Sequence, residues 1–175
     1  GTQNTALGDY SLYSNTTGYS NTAVGYRSLY SNTTGTQNTA LGDYSLYSNT
    51  TGYSNTAVGY RSLYSNTTGT QNTALGDYSL YSNTTGYWNI AVGTASLYSN
   101  TTGYANTVLG SFAGAYQADG STALTDPENS IYIGYNAMGK DNDDNNSIVI
   151  GSNAIGLGAN TVVLGNDSIV TTALK

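Results

Sequence analysis

The sequence predicts an all-β chain wound as a parallel β-solenoid, or β-roll, with 17-residue coils. Three observations carry this. The stretch Gly1 to Thr17, G-T-Q-N-T-A-L-G-D-Y-S-L-Y-S-N-T-T, recurs unchanged at Gly35 to Thr51 and at Gly69 to Thr85. A sister version, G-Y-S-N-T-A-V-G-Y-R-S-L-Y-S-N-T-T, fills Gly18 to Thr34 and Gly52 to Thr68, so a 34-residue super-period encloses the 17-residue one. Within each unit the T-A-L-G or T-A-V-G segment has the two-residue alternation of a strand. A unit this short cannot bury an apolar face alone and must stack on its neighbours.

Taken in order, the units divide the chain. The glycine that closes each strand falls at Gly8, Gly25, Gly42, Gly59, Gly76, Gly93 and Gly110, at one constant step. Residues 1–119 are therefore regular coils. A step of 24 to Gly134 places an inserted loop at 120–128, which holds Pro127, the only proline. Shorter, more aliphatic coils follow over 129–169, with I-Y-I-G, I-V-I-G and V-V-L-G. Residues 170–175 form a tail leading to a missing or cleaved segment, and the start in mid-pattern reads as a piece of something longer. Helix is not expected, because glycine recurs every eight or nine residues and no 3.6-residue apolar period appears.

Two columns flank the centre of each strand, the first β-branched and the second aliphatic. One runs from Thr5 through Thr22 and Thr39 to Ile90, Ile131, Ile148 and Val162. The other is Leu7, Val24, Leu41, Val58, Leu75, Val92, Leu109, Ile133, Ile150 and Leu164. These share a face, expected to be the inside of the coil, with Leu7, Val24, Leu41, Val58, Leu75, Ile90, Val92, Ile131, Ile133, Ile148, Ile150 and Leu164 as core. The central column is Ala6, Ala23, Ala40, Ala57, Ala74, Ala91, Val108, Tyr132, Val149 and Val163. A strand apolar on both faces is normally covered on both. Ala6, Ala23, Ala40, Ala57, Ala74, Ala91, Val108, Val149 and Val163 are accordingly expected to meet other chains. Beyond the glycine, the large residue of pairs such as Ser28-Leu29 completes the core, and Y-S-N-T-T-G supplies turn chemistry.

Stacked coils bring equal positions about 4.8 Å apart. Asn4, Asn21, Asn38 and their successors then form an amide ladder. Tyr13, Tyr30, Tyr47, Tyr64, Tyr81 and Tyr98 form a ring stack, a candidate ligand-facing ladder. Asp9, Arg27, Asp43, Arg61 and Asp77 alternate in sign along one edge, which avoids stacking like charges and holds register.

Composition narrows the function. Leu, Ile, Val and Phe total 30 of 175 residues, while net charge is only −6 and 18 tyrosines are present, which favours a thin stacked core over disorder. Such a thin core favours oligomerisation. With no cysteine and no histidine, there is no disulfide framework, thiolate site or usual general base, and no enzyme signature. Four basic residues leave no footprint for nucleic acid, and no apolar run is long enough for a membrane-spanning helix.

The unit S-I-V-I-G-S-N-A at Ser147 to Ala154 resembles the head repeat of YadA-type trimeric autotransporter adhesins, and T-A-L-G-D-Y-S-L and T-A-V-G-Y-R-S-L look like longer versions of it. N-T-A-x-G and L-Y-S-N-T-T-G arrays are similar to tail-fibre-like proteins that end in a cleavable intramolecular chaperone, and Asn160 to Lys175 resembles the stretch before one. The resemblance implies three rolls packed about a threefold axis, a homotrimer. The family's usual turn is shorter than this one, and only the final step, from Gly151 to Gly165, matches it.

Two further features are candidate sites. The carboxylates Asp141, Asp143 and Asp144 in D-N-D-D-N-N supply oxygen ligands suited to calcium; the run equally suits a solvated acidic turn. The N-T-T triplets at Asn15, Asn32, Asn49, Asn66, Asn83 and Asn100 satisfy the glycan acceptor rule, and their residues equally serve the bend. The expected function is a structural and adhesive segment of an extracellular trimeric fibre, an adhesin head or shaft or a tail fibre on a cell surface or virion. Its partners would be itself and a surface glycan or protein receptor, without nucleic acid or membrane insertion. The alternative is a stand-alone β-solenoid that binds glycan or ice.

Overall fold

The computed structural model describes residues 1–169; the tail expected at 170–175 lies outside them. Ten three-residue strands form one parallel sheet in chain order: β1 (Thr5–Leu7), β2 (Thr22–Val24), β3 (Thr39–Leu41), β4 (Thr56–Val58), β5 (Thr73–Leu75), β6 (Ile90–Val92), β7 (Thr107–Leu109), β8 (Ile131–Ile133), β9 (Ile148–Ile150) and β10 (Val162–Leu164). The described residues contain no helix. Each strand adds one coil, and like positions pair, as in Thr22↔Thr39, Ala23↔Ala40 and Val24↔Leu41. Nine steps between strands give a β-solenoid about 43 Å long at the usual strand spacing.

The opposite wall climbs by its own parallel backbone bonds. Leu29 donates to the Ser45 carbonyl and Ser31 to that of Tyr47, both at 3.0 Å. This wall is not extended strand, because Leu29, Leu46, Leu63 and Leu80 have φ of 50 to 51°. Left-handed backbone at a leucine costs about 1–2 kcal/mol. Here it turns the side chain into the coil, where all four are fully buried.

The structure reverses the expected faces of the sheet. Ala23, Ala40, Ala57, Ala74 and Ala91 are 0% exposed within a single chain, as is Val149, with Val108 at 1%. They point inward onto the leucine column, so they are not inter-chain contacts; Val163 packs against the same core. Ala6 belongs to this column but lies in the open first coil and is exposed. The residues expected as core face outward. Leu7, Leu41, Leu75, Ile90, Ile150 and Leu164 are exposed, and Val24, Val58, Val92, Ile131, Ile133 and Ile148 are only partly covered. The reason is the width of the coil. The far wall already contributes a leucine per turn, and two rows of asparagine occupy much of the remainder, so in the second to sixth coils the strand contributes only a methyl group.

Those asparagine rows are buried. In the first, Asn38 Nδ2 donates to Asn21 Oδ1 at 3.1 Å and to the Gly52 carbonyl at 2.9 Å. In the second, Asn49 Nδ2 donates to Asn32 Oδ1 at 2.8 Å and to the same Gly52 carbonyl at 3.0 Å. Buried amides are tolerable when saturated in this way. They also explain one glycine of each coil: a Cβ on Gly52 would lie 2.3 Å from Asn49 Oδ1 and 2.4 Å from the Gly69 carbonyl oxygen.

The seventh coil breaks the pattern and repairs it. Gly114 takes the leucine position, and a Cβ there would meet Leu97 Cδ2 at 3.0 Å and Tyr132 Cδ2 at 3.1 Å. Tyr132, in the alanine column of the next coil, fills the vacated space and is fully buried. The extra residues are placed earlier than 120–128. Tyr116 pairs antiparallel with Ala123, and by Thr125 the chain is back in its column, accepting from Thr101 N–H at 2.7 Å. Leu124 now stands where an asparagine would continue the second row, and Asn100 Oδ1 is left buried without a partner.

Candidate functional site

Two outward surfaces repeat with the coil. The first is the outer face of the sheet, where Thr, Leu, Val and Ile side chains flank the central residue of all ten strands. It carries no charged residue in either column. Ile90 is 46% and Leu109 51% exposed, both in mid-sheet, and the aliphatic column running through Leu109 is exposed or only partly covered from strand to strand.

The second surface is a tyrosine ridge at the corner beyond the strand-closing glycine. Tyr13, Tyr30, Tyr47, Tyr64, Tyr81 and Tyr98 stack with centroids 5.1 to 5.3 Å apart and planes within 10°. Rings lying face over face along the axis present edges and hydroxyls outward. Beside them, a column two residues past the glycine alternates Tyr10, Arg27, Tyr44, Arg61 and Tyr78, with φ of 55 to 61° throughout.

The arginines of that column pack on rings. Arg27 Cζ sits 5.5, 5.1 and 5.5 Å from the centroids of Tyr10, Tyr26 and Tyr30. Arg61 repeats this with Tyr44, Tyr60 and Tyr64 at the same distances. Each guanidinium thus rests against three π faces, an arrangement worth about 0.5–2 kcal/mol per contact according to desolvation. Burial raises the Tyr64 phenol above its ordinary value, with Tyr47 and Tyr81 adding to the shift and Arg61 opposing it. Asp43 and Asp77 play a different part, their carboxylates accepting the Tyr26 and Tyr60 backbone N–H at 2.8 Å. Sequence reasoning saw the sign alternation along this edge and missed the rings between. The signal was the tyrosine placed one coil before, and three residues after, each arginine.

The acidic run does not gather into a ligand set. Asp144 turns inward and is fully buried, its Oδ2 accepting from Tyr132 O–H at 3.3 Å and Lys140 N–H at 3.1 Å. Asp141 stays at the turn, accepting from Asp143 N–H at 3.1 Å. Among the described residues no group of three or more His, Cys, Asp or Glu is placed to hold a metal ion. Burial and the Asp144 carboxylate together push the Tyr132 phenol well above its ordinary range.

The N-T-T asparagines fare similarly as glycan acceptors. Asn32, Asn49, Asn66, Asn83 and Asn100 are fully buried, with Nδ2 committed to the internal row, so the folded coil offers no attachment point at them. No helix among the described residues is long and apolar enough to cross a membrane. Comparison with family models, with characterised proteins and with solved structures gives no match.

Proposed function

We propose that the chain is a rigid segment of an extracellular homotrimeric fibre that mediates surface attachment, and that its rolls meet through the outer face of the sheet. The supporting observation is the uncharged Thr/Leu/Val/Ile stripe, exposed or only partly covered on every strand. An exposed apolar surface of this extent is uncommon on a monomer. A second copy of this chain is the occupant that fits it, because it carries the same stripe at the same pitch and length. Three copies close the arrangement, as the resemblance to trimeric head repeats implies, and closed symmetry leaves no stripe unpaired. Stacked coils then give stiffness, while the outward tyrosine ridges of three chains give repeated weak contacts to a receptor.

Sedimentation equilibrium of the 175-residue chain tests this directly. A trimer is expected, falling apart when Leu41 and Leu75 are both replaced by glutamate. A wild-type chain that stays monomeric at high micromolar concentration would remove the reading.

A stand-alone glycan-binding roll is the second reading, favoured by the row of phenol edges at regular spacing. Binding to a glycan array by a monomeric chain would select it.

A further inference from the structure

We propose that a slot beside Ala95 is a recognition site for a guanidinium group, an arginine side chain carried by a partner molecule. The sixth coil, Gly86 to Thr102, copies the sister unit at all but four positions: Trp88 replaces Ser, Ile90 replaces Thr, Thr94 replaces Tyr and Ala95 replaces Arg. Two of these changes fall together. In the second and fourth coils an arginine packs beside a tyrosine of the preceding coil and one of its own, 5.5 Å from each centroid. The sixth coil keeps two of the three tyrosine columns, as Tyr78 and Tyr98, and removes the arginine together with the ring 5.1 Å from it, whose place Thr94 takes.

What remains is an open groove of about 490 Å³ lined by Tyr78, Thr94, Ala95, Tyr98, Phe112 and Tyr116. Phe112, at the position two past the glycine in the next coil, and Tyr116 add aromatic walls where Thr94 takes one away. The seat is an open aromatic groove whose counterpart in two equivalent coils holds a guanidinium, and here the occupant comes from outside. Cation–π attraction to several rings supplies the recognition. The chain's net charge of −6 draws a cation towards it. A guanidinium is preferred to an ammonium because its planar, weakly hydrated head stacks on ring faces. The slot lies within one chain, so its occupancy is separable from the state of assembly.

The test is an NMR titration of the intact chain with N-acetyl-arginine amide, against N-acetyl-citrulline amide as the neutral isostere. Saturable shifts of the Tyr78, Tyr98 and Phe112 ring signals are expected in the millimolar range, with citrulline weaker by at least about tenfold. Ala95→Arg should refill the seat from within and abolish the shifts. It should fold normally, since φ is 54° at Ala95 and 55° at both Arg27 and Arg61. Arg61→Ala should open a second site of the same kind. Absence of saturable shifts would overturn the proposal. So would citrulline binding as tightly as arginine, or an Ala95→Arg chain that binds undiminished. Tyr98→Ser should weaken binding; should it fail to fold, the Ala95→Arg result decides.

Discussion

Asn55 and Asn66 donate to one and the same oxygen, the carbonyl of Gly69, at 2.8 and 3.0 Å. Both belong to the coil Gly52 to Thr68, Asn55 at the entry to β4 and Asn66 in the bend that closes it, so this shared acceptor pins the strand entry to the bend that follows. Asn66 also donates to Asn49 Oδ1 and accepts from Asn83 Nδ2, both at 2.8 Å. Replacing Asn66 with alanine therefore strands a buried donor on one side and a buried acceptor on the other. A loss of about 2–4 kcal/mol is expected, read as an early transition in thermal or urea unfolding followed by circular dichroism. The same change at half-exposed Asn15 should cost clearly less, because water can reach the orphaned groups there.

Gly114 and Tyr132 exchange volume across the core. Tyr132→Ala should open a cavity and destabilise by about 3–5 kcal/mol. Gly114→Leu should clash with Leu97 and Tyr132. The double variant rebuilds the Leu/Ala pairing of the earlier coils and should recover most of the loss. A strongly non-additive double-mutant cycle is the expected result; simple additivity would show that the two side chains do not compensate.

Adjacent residues of β3 should respond in opposite ways to one charge. Ala40 is sealed inside the coil, so Ala40→Glu should prevent folding. Leu41 faces outward, and Leu41→Glu should leave the circular dichroism spectrum unchanged while weakening assembly in the ultracentrifuge. If Leu41→Glu unfolds the chain and Ala40→Glu is tolerated, the orientation of the strand is wrong.

Acid should loosen the inserted loop before the coils. Asp119 Oδ1 accepts from the Ser121 and Thr122 N–H groups at 2.8 and 2.7 Å, and its Oδ2 from the Thr122 hydroxyl. The Thr122 hydroxyl foremost, then the two N–H groups, lower its pKa from 3.8 to about 2. A carboxylate depressed in the folded state stabilises above its unfolded pKa, and that contribution fades as pH falls from near 4 through 2. Amide exchange at Ser121 and Thr122 should therefore accelerate across that window, and Asp119→Asn should show fast exchange at every pH.

Much of this architecture could be read from residue order, and its errors have a common physical cause. The 17-residue step, the parallel stacking and the asparagine and tyrosine rows all follow from identity between units. Alternation separates Ala40 from Thr39 and Leu41, but it does not say which side is inside. Hydrophobicity favours the bulkier pair as core. The choice is made by Leu46 and the two asparagine rows, which reach the interior from the other wall and leave room only for a methyl group. The arginine seats were hidden for a related reason. Arg27 finds its rings in Tyr10, Tyr26 and Tyr30, contacts set by the left-handed backbone at the corner, and the linear pattern suggested charge pairing there instead. The seven-residue excess before Gly134 was evident, while its placement ahead of Leu124 depended on which residue rejoined the column.

Because Gly1 to Thr34 and Gly35 to Thr68 are identical letter for letter, and their strands pair like with like, the length of the rod is decoupled from its stability per coil. Excising residues 35–68 would join Thr34 to Gly69 with every neighbour type preserved, shortening the object by about 10 Å. Losing a single coil would instead set Asp9 above Asp43, or Arg27 beside Arg61, on the corner. The rod thus keeps every neighbour type only when its length changes in increments of two windings, a ruler whose graduation is written at the corner.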